Sequence, residues 1–441
     1  MKIAIIGTGI AGLTAAYLLN NQHDITIYEK NNYIGGHSRT IDVAVDNTKI
    51  PVDTGFIVFN KLNYPHLTSL FDKLNIPITD ASMSFGVAIN DDNGLLEYGT
   101  ESLTNLFAQK DNFLRPNFWL MLKDIIKFNI AAKRIIKHSY DLNNLTIGKF
   151  LADMKIGNWF QEYYLLPMAA SIWSSPIKDI VKFPAQTLLS FFHNHGLLNV
   201  INQPQWHSIQ GGSREYVKIL TKDFADKVHL NMAVKNVERN SDKILLTAEN
   251  GETYEYDQVV FACHSAQILP ILSNPTDMEQ EVISAIKYQP NELYVHTDVN
   301  FMPENKKAWA SWVYLSKDIS DENDPSGKAQ DAIDNVSDDP YKTISLSYWM
   351  NNLQKLDTDV PIIVTLNPSV KPDEAKILDH HIFHHPVFDQ KAINAQKKIP
   401  DIQGQDKIWF VGAWQRYGFH EDGILSAVNM AKKLGVEVPW I

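Results

Sequence analysis

A glycine-rich turn lies near the start of the sequence, between a strand pattern and a helix pattern. Residues 2–6 form a short apolar run typical of a buried parallel strand, followed by Gly7-Thr8-Gly9-Ile10-Ala11-Gly12. In such a turn Gly7 permits a sharp bend, Gly9 lets the backbone approach a pyrophosphate, and Gly12 allows a helix to pack closely on the sheet. The helix pattern that follows would present free N–H groups to phosphates.

A carboxylate follows the second predicted strand. That strand runs over residues 25–28, and Glu29 comes directly after it, twenty residues beyond Gly9. A carboxylate at this place accepts hydrogen bonds from ribose hydroxyls and would repel a 2′-phosphate, which disfavours NADP. A glycine-rich turn that binds nothing is the alternative, and the combination of two strands, a helix and an acid weighs against it. The pattern therefore predicts a dinucleotide-binding βαβ unit.

Length and composition narrow the class of protein. A chain of 441 residues is long enough for two or three subdomains, and a net charge of −11 argues against nucleic-acid binding. The single cysteine, Cys263, excludes an internal disulfide framework and is expected to be a small buried side chain. Since no apolar run reaches the roughly 18 residues of a membrane span, we expect a cytoplasmic enzyme.

Two further turns give the sequence a family resemblance. Gly35-Gly36-His37-Ser38-Arg39-Thr40 follows the βαβ unit, and a strand pair bent at Asp53-Thr54-Gly55 comes next. In this order they resemble the flavin-containing amine oxidase and phytoene desaturase superfamily. The resemblance implies an FAD cofactor, with Gly36 and Arg39 along its pyrophosphate and Gly55-Phe56 near its ring.

The C-terminal segment extends the resemblance. A buried-strand pattern at 407–412 is followed by a loop and a final helix that we expect to begin at about Gly423. Asp422-Gly423-Ile424 match the Glu-Gly-Ala of the superfamily, where the helix N-terminus stabilises negative charge on reduced flavin. By this resemblance glycine is needed at 423 because a side chain would strike the ring. Ala413 stands where the superfamily has an acid, so one contact with the cofactor is lost or replaced.

The resemblance carries FAD contacts over residue by residue. It also implies a non-covalent cofactor, because no cysteine stands where covalent members attach it. The implied contacts are Gly7, Gly9, Ile10, Ala11, Gly12, Glu29, Lys30, Gly36, His37, Arg39, Thr54, Gly55, Phe56, Val234, Gly412, Ala413, Asp422, Gly423 and Ile424.

The segment 165–220 is rich in aromatic residues and points to a hydrophobic substrate. It closely resembles bacterial FAD/NAD-binding proteins that accompany cyclopropane-fatty-acid synthases. We expect Trp173, Trp206 and Tyr417 to shape a pocket, although core packing explains such aromatics equally well. His420 is the first candidate for a catalytic base because imidazole can titrate near neutral pH. The alternative interpretation is that His420 only donates or accepts a hydrogen bond with the flavin or with its own loop. His195 and Glu421 are the next candidates.

A basic amphipathic stretch interrupts the acidic chain. Residues 113–138 carry six Lys or Arg and one Asp among apolar side chains. Peripheral contact with an anionic membrane at the inner face is one interpretation, and a pair of ordinary helices with a solvated basic face is the other. Residues 63–205 as a whole have a mostly helical pattern, and the acidic stretch 317–340 is expected to be a mobile surface loop.

Later segments complete the expected architecture. A hairpin is expected at Asn250-Gly251, and strands of a second sheet are expected in 344–356 and 361–369. His380-His381 and His384-His385 have a chelating spacing, but a metal site is rejected for want of nearby carboxylates.

The predicted fold class is α/β: a Rossmann-type FAD-binding domain with an inserted α+β substrate domain, as in the amine oxidases. The FAD domain is expected to comprise 1–62, 207–268 and 400–441, and the substrate domain 63–206 and 269–399. The expected function is removal of a hydride from a C–H bond of a hydrophobic substrate, such as a fatty acyl chain or its methyl or cyclopropane derivative. The alternatives are an amine oxidase, an FAD-dependent fatty acid isomerase without net redox change, and a non-catalytic FAD-bearing partner of a lipid-modifying enzyme.

Overall fold

The computed structural model describes residues 1–45, 47–91, 94–138, 140, 142, 145–173, 180–194, 196–199, 203–316 and 345–440, with backbone only for Trp173 and Asn194. Its helices are α1 (Ile10–Leu19), α2 (Pro65–Leu74), α3 (Leu103–Leu106), α4 (Pro116–Lys137), α5 (Ile147–Asp153), α6 (Asn158–Phe160), α7 (Leu166–Trp173), α8 (Ala185–Asn194), α9 (Ser213–Thr221), α10 (Asp277–Ser284), α11 (Met350–Leu353), α12 (Gln390–Gln396), α13 (Ile399–Ile402) and α14 (His420–Lys433). Its strands are β1 (Lys2–Ile6), β2 (Asp24–Tyr28), β3 (Thr40–Val45), β4 (Thr48–Asp53), β5 (Phe59–Asn60), β6 (Ile78–Ala81), β7 (Phe85–Asp91), β8 (Gly94–Gly99), β9 (Trp206–Ile209), β10 (Val228–His229), β11 (Val234–Arg239), β12 (Ile244–Ala248), β13 (Thr253–Tyr256), β14 (Gln258–Phe261), β15 (Lys287–His296), β16 (Trp312–Ser316), β17 (Ser345–Trp349), β18 (Ile363–Leu366), β19 (Ile377–Val387) and β20 (Ile408–Phe410).

A five-stranded parallel sheet forms the first part of the fold. Its order is β10-β2-β1-β14-β20, so the first and last strands of the chain share one sheet. The inner strand β1 is buried along almost its whole length, as a parallel strand covered on both faces must be. This sheet confirms the predicted βαβ unit, and its last strand confirms the buried run near the C-terminus. The predicted hairpin at Asn250-Gly251 is also confirmed between β12 and β13.

A seven-stranded mixed sheet forms the second part of the fold. Its order is β19-β15-β18-β17-β16-β7-β8, and it includes the two strands predicted from the late apolar runs. The helical interpretation of 63–205 is wrong over 78–99, where β6, β7 and β8 lie. A short apolar run fits a helix or a strand equally well. Here β7 pairs with β16 and β8, so this run forms a strand. Together the two sheets confirm the predicted α/β fold class.

The domain borders stay a prediction. Two helices of the expected substrate domain pack in cores that also contain strands of the expected FAD domain. Leu67, Leu70 and Phe71 of α2 pack in the core beside β1, although they follow the expected border at 62. Val282 and Ile283 of α10 likewise pack in a core with β14 residues. The stretch 113–138 is not a pair of helices, because α4 runs unbroken through most of it. Among the described helices, none is both long and apolar enough to cross a bilayer.

Candidate active site

The N-terminus of α1 is open to an anion. Gly7 has φ of 109°, and a Cβ there would lie 2.9 Å from the Ala262 carbonyl oxygen. At Gly9, by contrast, a Cβ would meet no atom of the described residues within 4 Å, so space lies beside its backbone. No side chain caps the helix, and its first turn holds no acid. Free N–H groups and the helix dipole therefore point into this space.

Glu29 is held rigidly beside the same turn. Its carboxylate accepts hydrogen bonds from the Thr8 backbone N–H (3.0 Å), the Thr8 hydroxyl (2.6 Å) and the Asn31 N–H (2.9 Å). The side chain is buried, whereas that of Lys30 is exposed. A carboxylate has about four lone-pair sites, so Glu29 keeps capacity for a further donor.

The second glycine turn, from Gly35 to Thr40, packs against the first, from Gly7 to Gly12, and places His37 beside it. Gly36 has φ of 59°, and a Cβ there would lie 3.1 Å from the Cα of Gly9. The His37 ring is buried, stacks on Phe383 at 4.6 Å, and leaves Nε2 without a partner among the described residues. Burial, and secondarily His385, holds the His37 pKa well below its ordinary value, so the ring is neutral. An orphaned ring nitrogen beside the open turn suits a polar cofactor group.

Arg39 has a protein partner. Its guanidinium donates to both carboxylate oxygens of Asp379, at 2.7 and 3.1 Å, and to the Thr54 hydroxyl at 3.2 Å. This bidentate pair ties the second glycine turn to β19 of the mixed sheet. The pyrophosphate contact that the resemblance implies for Arg39 stays a prediction.

The backbone at Gly55 and Phe56 lies very close to the backbone of His37. A Cβ on Gly55 would lie 2.2 Å from the His37 carbonyl oxygen, which also accepts a 2.8 Å bond from the Phe56 N–H. The Phe56 ring then stacks on the His420 ring, with centroids 3.6 Å apart. Gly55 is therefore required by the backbone of residue 37.

The last helix begins three residues earlier than predicted. Helix α14 starts at His420, which places Gly423 inside the helix. The Asp422 carboxylate accepts bonds from the Tyr417 and Phe419 N–H groups at 3.1 and 3.0 Å and so fixes the preceding loop. Burial raises the pKa of Asp422 to about 6. Before the loop, the Gly412 N–H donates to Ser426, and Ala413 opens a short 3₁₀ turn.

The flavin contact expected at Gly423 stays a prediction, and packing within the protein gives a second reason for glycine there. A Cβ there would lie 2.8 Å from Cγ2 of Ile10 and 3.7 Å from the Cβ of Ala11, both on α1. Close packing of α14 on α1 is thus sufficient to require glycine. The neighbouring Ile424 is fully buried in the same core. The packing brings the N-terminal turns of two helices together.

His420 lies among the predicted cofactor residues and has two hydroxyl neighbours. Its Nε2 lies 3.0 Å from the Ser38 hydroxyl and 3.4 Å from the Tyr216 hydroxyl. Burial lowers its pKa to about 3, and its place in the first turn of α14 also disfavours a cation. These observations favour a neutral hydrogen-bonding group, which was the alternative to a base. The catalytic role expected for His420 stays a prediction.

The other predicted catalytic and pocket residues are placed differently. Glu421 accepts bonds from the His66 and Leu67 N–H groups, at 3.0 and 2.9 Å, and so satisfies the N-terminus of α2. Trp206 packs edge-on against Tyr64 at 6.4 Å. His195 and the Trp173 side chain lie outside the described residues, as does the stretch 317–340. Val234 begins β11 with its side chain buried in a core that includes Tyr28.

The sequence did not predict the buried node, by which we mean the set of hydrogen bonds around Asp53. This residue opens the Asp-Thr-Gly turn. Its fully buried carboxylate accepts bonds from the Thr40 hydroxyl, from the N–H and hydroxyl of Ser213, and from the Gln354 amide, all within 3.0 Å. Burial nevertheless raises the Asp53 pKa to about 6. The node joins the second glycine turn, α9 and the mixed sheet.

Comparison with known proteins agrees with this geometry. The family model of the flavin containing amine oxidoreductases matches residues 10–358. The chain belongs to this family. The amine oxidoreductase chain is 24% identical over 279 residues to a Mycobacterium tuberculosis protein provisionally named flavin-containing monoamine oxidase AofH, covering 62% of this chain and 59% of that protein. It therefore spans less than two thirds of that relative's length.

Two other similarities are narrower or more distant. A stretch of 37 residues is 57% identical to the 4,4'-diapophytoene desaturase of Staphylococcus aureus, covering 8% of this chain and 7% of that enzyme. The crystal structure of a CLA-producing fatty acid isomerase from P. acnes superposes with a TM-score of 0.65 at 15% identity, covering 98% of both chains. At that identity the superposition shows the fold alone.

The residues of this amine oxidoreductase fit its FAD cofactor. The uncapped α1 N-terminus with space beside Gly9, the spare acceptor capacity of Glu29 and the orphaned His37 nitrogen are what a dinucleotide requires. When bound, FAD accepts a hydride equivalent from a substrate. Cys263 is unsuited to nucleophilic chemistry, since burial raises its pKa to about 12. Among the described residues, no three His, Cys, Asp or Glu are grouped to hold a metal ion.

A cavity of about 480 Å³ opens beside the first turn of α14. Its walls combine apolar and aromatic side chains with an arginine, histidines and two carboxylates. The lining residues are Leu62, Asn63, Tyr64, Pro65, His66, His193, Arg416, Tyr417, Phe419, Glu421, Asp422 and Leu425. The predicted pocket residue Tyr417 is thus in the wall, and Trp206 packs behind Tyr64.

Proposed function

We propose that this flavin-dependent oxidoreductase removes a hydride from a C–H bond of a hydrophobic substrate, namely a fatty acyl chain or its methyl or cyclopropane derivative. The observation that supports this is the cavity beside α14, whose walls include Leu62, Tyr64, Phe419 and Leu425. Such walls suit an alkyl chain, and a few polar groups among them would orient it.

Arg416 is the candidate contact for an acidic head group. Its guanidinium lies over the Tyr417 ring at 5.4 Å, is about half exposed, and approaches Asp422 only at 3.5 Å. A planar guanidinium has five donors and binds carboxylates in a bidentate manner. A free fatty acid would thus place its carboxylate near Arg416 and its alkyl chain against the apolar wall.

The proton that leaves with the hydride needs an acceptor. In the proposed reaction two adjacent carbons lose a hydride and a proton and become a carbon–carbon double bond. Asp422 faces the cavity, and its pKa of about 6 makes it more basic than an ordinary aspartate yet still ionised at pH 7. Glu421 is less suited, because both its oxygens accept N–H groups of α2. His420 would then position the site as a neutral hydrogen-bonding group.

Amine oxidation is the second candidate function. It is favoured by the two carboxylates of the cavity wall, which would attract an ammonium group, and by the name of the M. tuberculosis relative. Both oxygens of Glu421 already accept backbone N–H groups, however, and the Arg416 guanidinium lies 3.5 Å from the Asp422 carboxylate, so neither is offered as a dedicated site for a second cation. This is why the lipid substrate is preferred.

Anaerobic bleaching of bound FAD against a panel of fatty acids, acyl lipids and amines tests the proposal. Bleaching by fatty acids, a product two hydrogens lighter, and a raised KM for them in Arg416→Gln would support it. Bleaching by amines alone would establish the second candidate. A product of unchanged mass would indicate an isomerase, which is the activity of the structurally similar P. acnes enzyme. No turnover of any compound would favour a non-catalytic partner of a lipid-modifying enzyme.

A further inference from the structure

Helix α4 and the turn before it expose an unusual number of large apolar side chains. Leu114 is 80% exposed and Ile130 64%, and Phe113, Trp119, Leu120 and Ile126 are each about half exposed or more. The aromatic members touch one another, since the Trp119 ring lies 5.6 Å from that of Phe113. Leu120, Ile126 and Ile130 extend the patch along one side of α4 over roughly 15 Å of helix. We call residues 113, 114, 119, 120, 126 and 130 the apolar strip.

Cations are interleaved with the apolar strip. Lys123, Lys133, Arg134 and Lys137 are exposed on α4, on the same side as Ile126 and Ile130 by helical spacing. The one acid of the helix, Asp124, accepts a bond from the Gly157 N–H and is thereby turned towards the protein. This local excess of positive charge lies on a chain whose net charge is −11.

The opposite side of α4 is firmly held, so the apolar strip cannot simply turn inward. Phe118, Met121, Phe128 and Ala132 are buried in the core under the mixed sheet. Lys127 donates to the Met154 and Lys155 carbonyl oxygens at 2.7 and 3.2 Å and fixes the helix flank. These contacts fix which side of α4 faces outward among the described residues.

We propose that the apolar strip and its cations dock this protein on the surface of an anionic lipid bilayer. In that position the apolar side chains enter the headgroup boundary, Trp119 lies at the interface, and the lysines reach phosphate groups. The cores of protein–protein interfaces are depleted of lysine, which disfavours a protein partner. A second copy apposed through the same surface would bring like charges together. The inference does not rest on the proposed reaction.

Vesicle binding by the FAD-loaded protein tests the proposal. Unilamellar vesicles of phosphatidylcholine with phosphatidylglycerol are compared with vesicles of phosphatidylcholine alone, by co-sedimentation and tryptophan fluorescence. We expect salt-sensitive binding to the anionic vesicles and much weaker binding to the neutral ones. Lys123→Glu with Arg134→Glu should weaken the affinity at least about tenfold, since each cation near the surface contributes roughly 1 kcal/mol. Leu120→Asn with Ile130→Asn should weaken it comparably.

Matched controls lie on other helices. Lys432→Glu with Lys433→Glu changes the same charge on α14, and Met278→Asn removes an exposed apolar side chain from α10. All variants are checked for FAD content and far-UV circular dichroism. Unchanged binding by the α4 variants, loss of binding in the controls alone, or no binding of the wild type to anionic vesicles would each overturn the proposal. So would an α4-dependent dimer in analytical ultracentrifugation that does not bind vesicles.

Discussion

Replacing Gly423 by alanine distinguishes two reasons why this position is glycine. One is contact with the flavin ring, and the other is packing against Ile10 of α1. The added Cβ would lie 2.8 Å from Cγ2 of Ile10, whereas carbon atoms normally approach to about 3.5–4.0 Å. Overpacking of this kind costs roughly 1–3 kcal/mol, and the better helix propensity of alanine returns about 0.5–1 kcal/mol. We therefore expect a net loss of up to about 2.5 kcal/mol, with a central value of about 1 kcal/mol, in the free energy of unfolding of the protein without FAD.

A double-mutant cycle tests this reason directly. Ile10→Ala removes the methyl group in conflict, so adding Gly423→Ala in that background should be neutral or slightly stabilising. The resulting coupling should be about 1–3 kcal/mol in urea titrations followed by tryptophan fluorescence. Leu19→Ala, at the other end of α1, is the matched control and should show no coupling. If Gly423→Ala leaves the stability unchanged without FAD but weakens FAD binding in every background, packing on Ile10 is not the reason.

Three other perturbations have expected outcomes. Asp53→Asn should lower the unfolding free energy by about 2 kcal/mol at pH 5 in urea titration, because an amide nitrogen, unlike either carboxyl oxygen, cannot accept the hydrogen bonds made there. Since the folded Asp53 pKa is raised to about 6, its stabilising contribution falls between pH 4 and 6, so the deficit should shrink at pH 7. If Arg39 contacts the pyrophosphate, Arg39→Ala should weaken FAD binding at least tenfold in fluorescence titrations. Asp379→Asn should not weaken FAD binding in this way. Asp422→Asn should abolish a rise near pH 6 in the anaerobic reduction rate.

The features predicted from the sequence are those with local causes. The turn from Gly7 to Gly12 depends on positive φ, close backbone approach and a following helix, all encoded within a few residues. The hairpin at Asn250-Gly251 is local in the same sense, with Gly251 at φ of 84°. Such elements are recognisable because each residue type answers a backbone requirement at its own position.

The features that escaped prediction depend on contacts between distant residues. Asp53 bonds to Ser213 and Gln354, which lie 160 and 301 positions away. The low pKa of His420 arises from burial beside Phe56 and Ser38, which the chain brings together only on folding. Residue type alone suggested a titrating base there, whereas desolvation by tertiary packing determines its protonation.

Helix α8 lies between α4 and the wall of the cavity. It packs on α4, and its Phe191 stacks on Phe419 at 5.2 Å and contacts Tyr417 at 6.5 Å. If α4 lies on a bilayer as proposed, a lipid drawn from that bilayer would pass α4 and α8 before it reached the cavity wall. This arrangement is more useful for an acyl substrate than for a small amine, which would arrive from water. If vesicle binding and fatty acid oxidation are both observed, Phe191→Ala should change the KM for lipids presented in vesicles more than the KM for short soluble fatty acids.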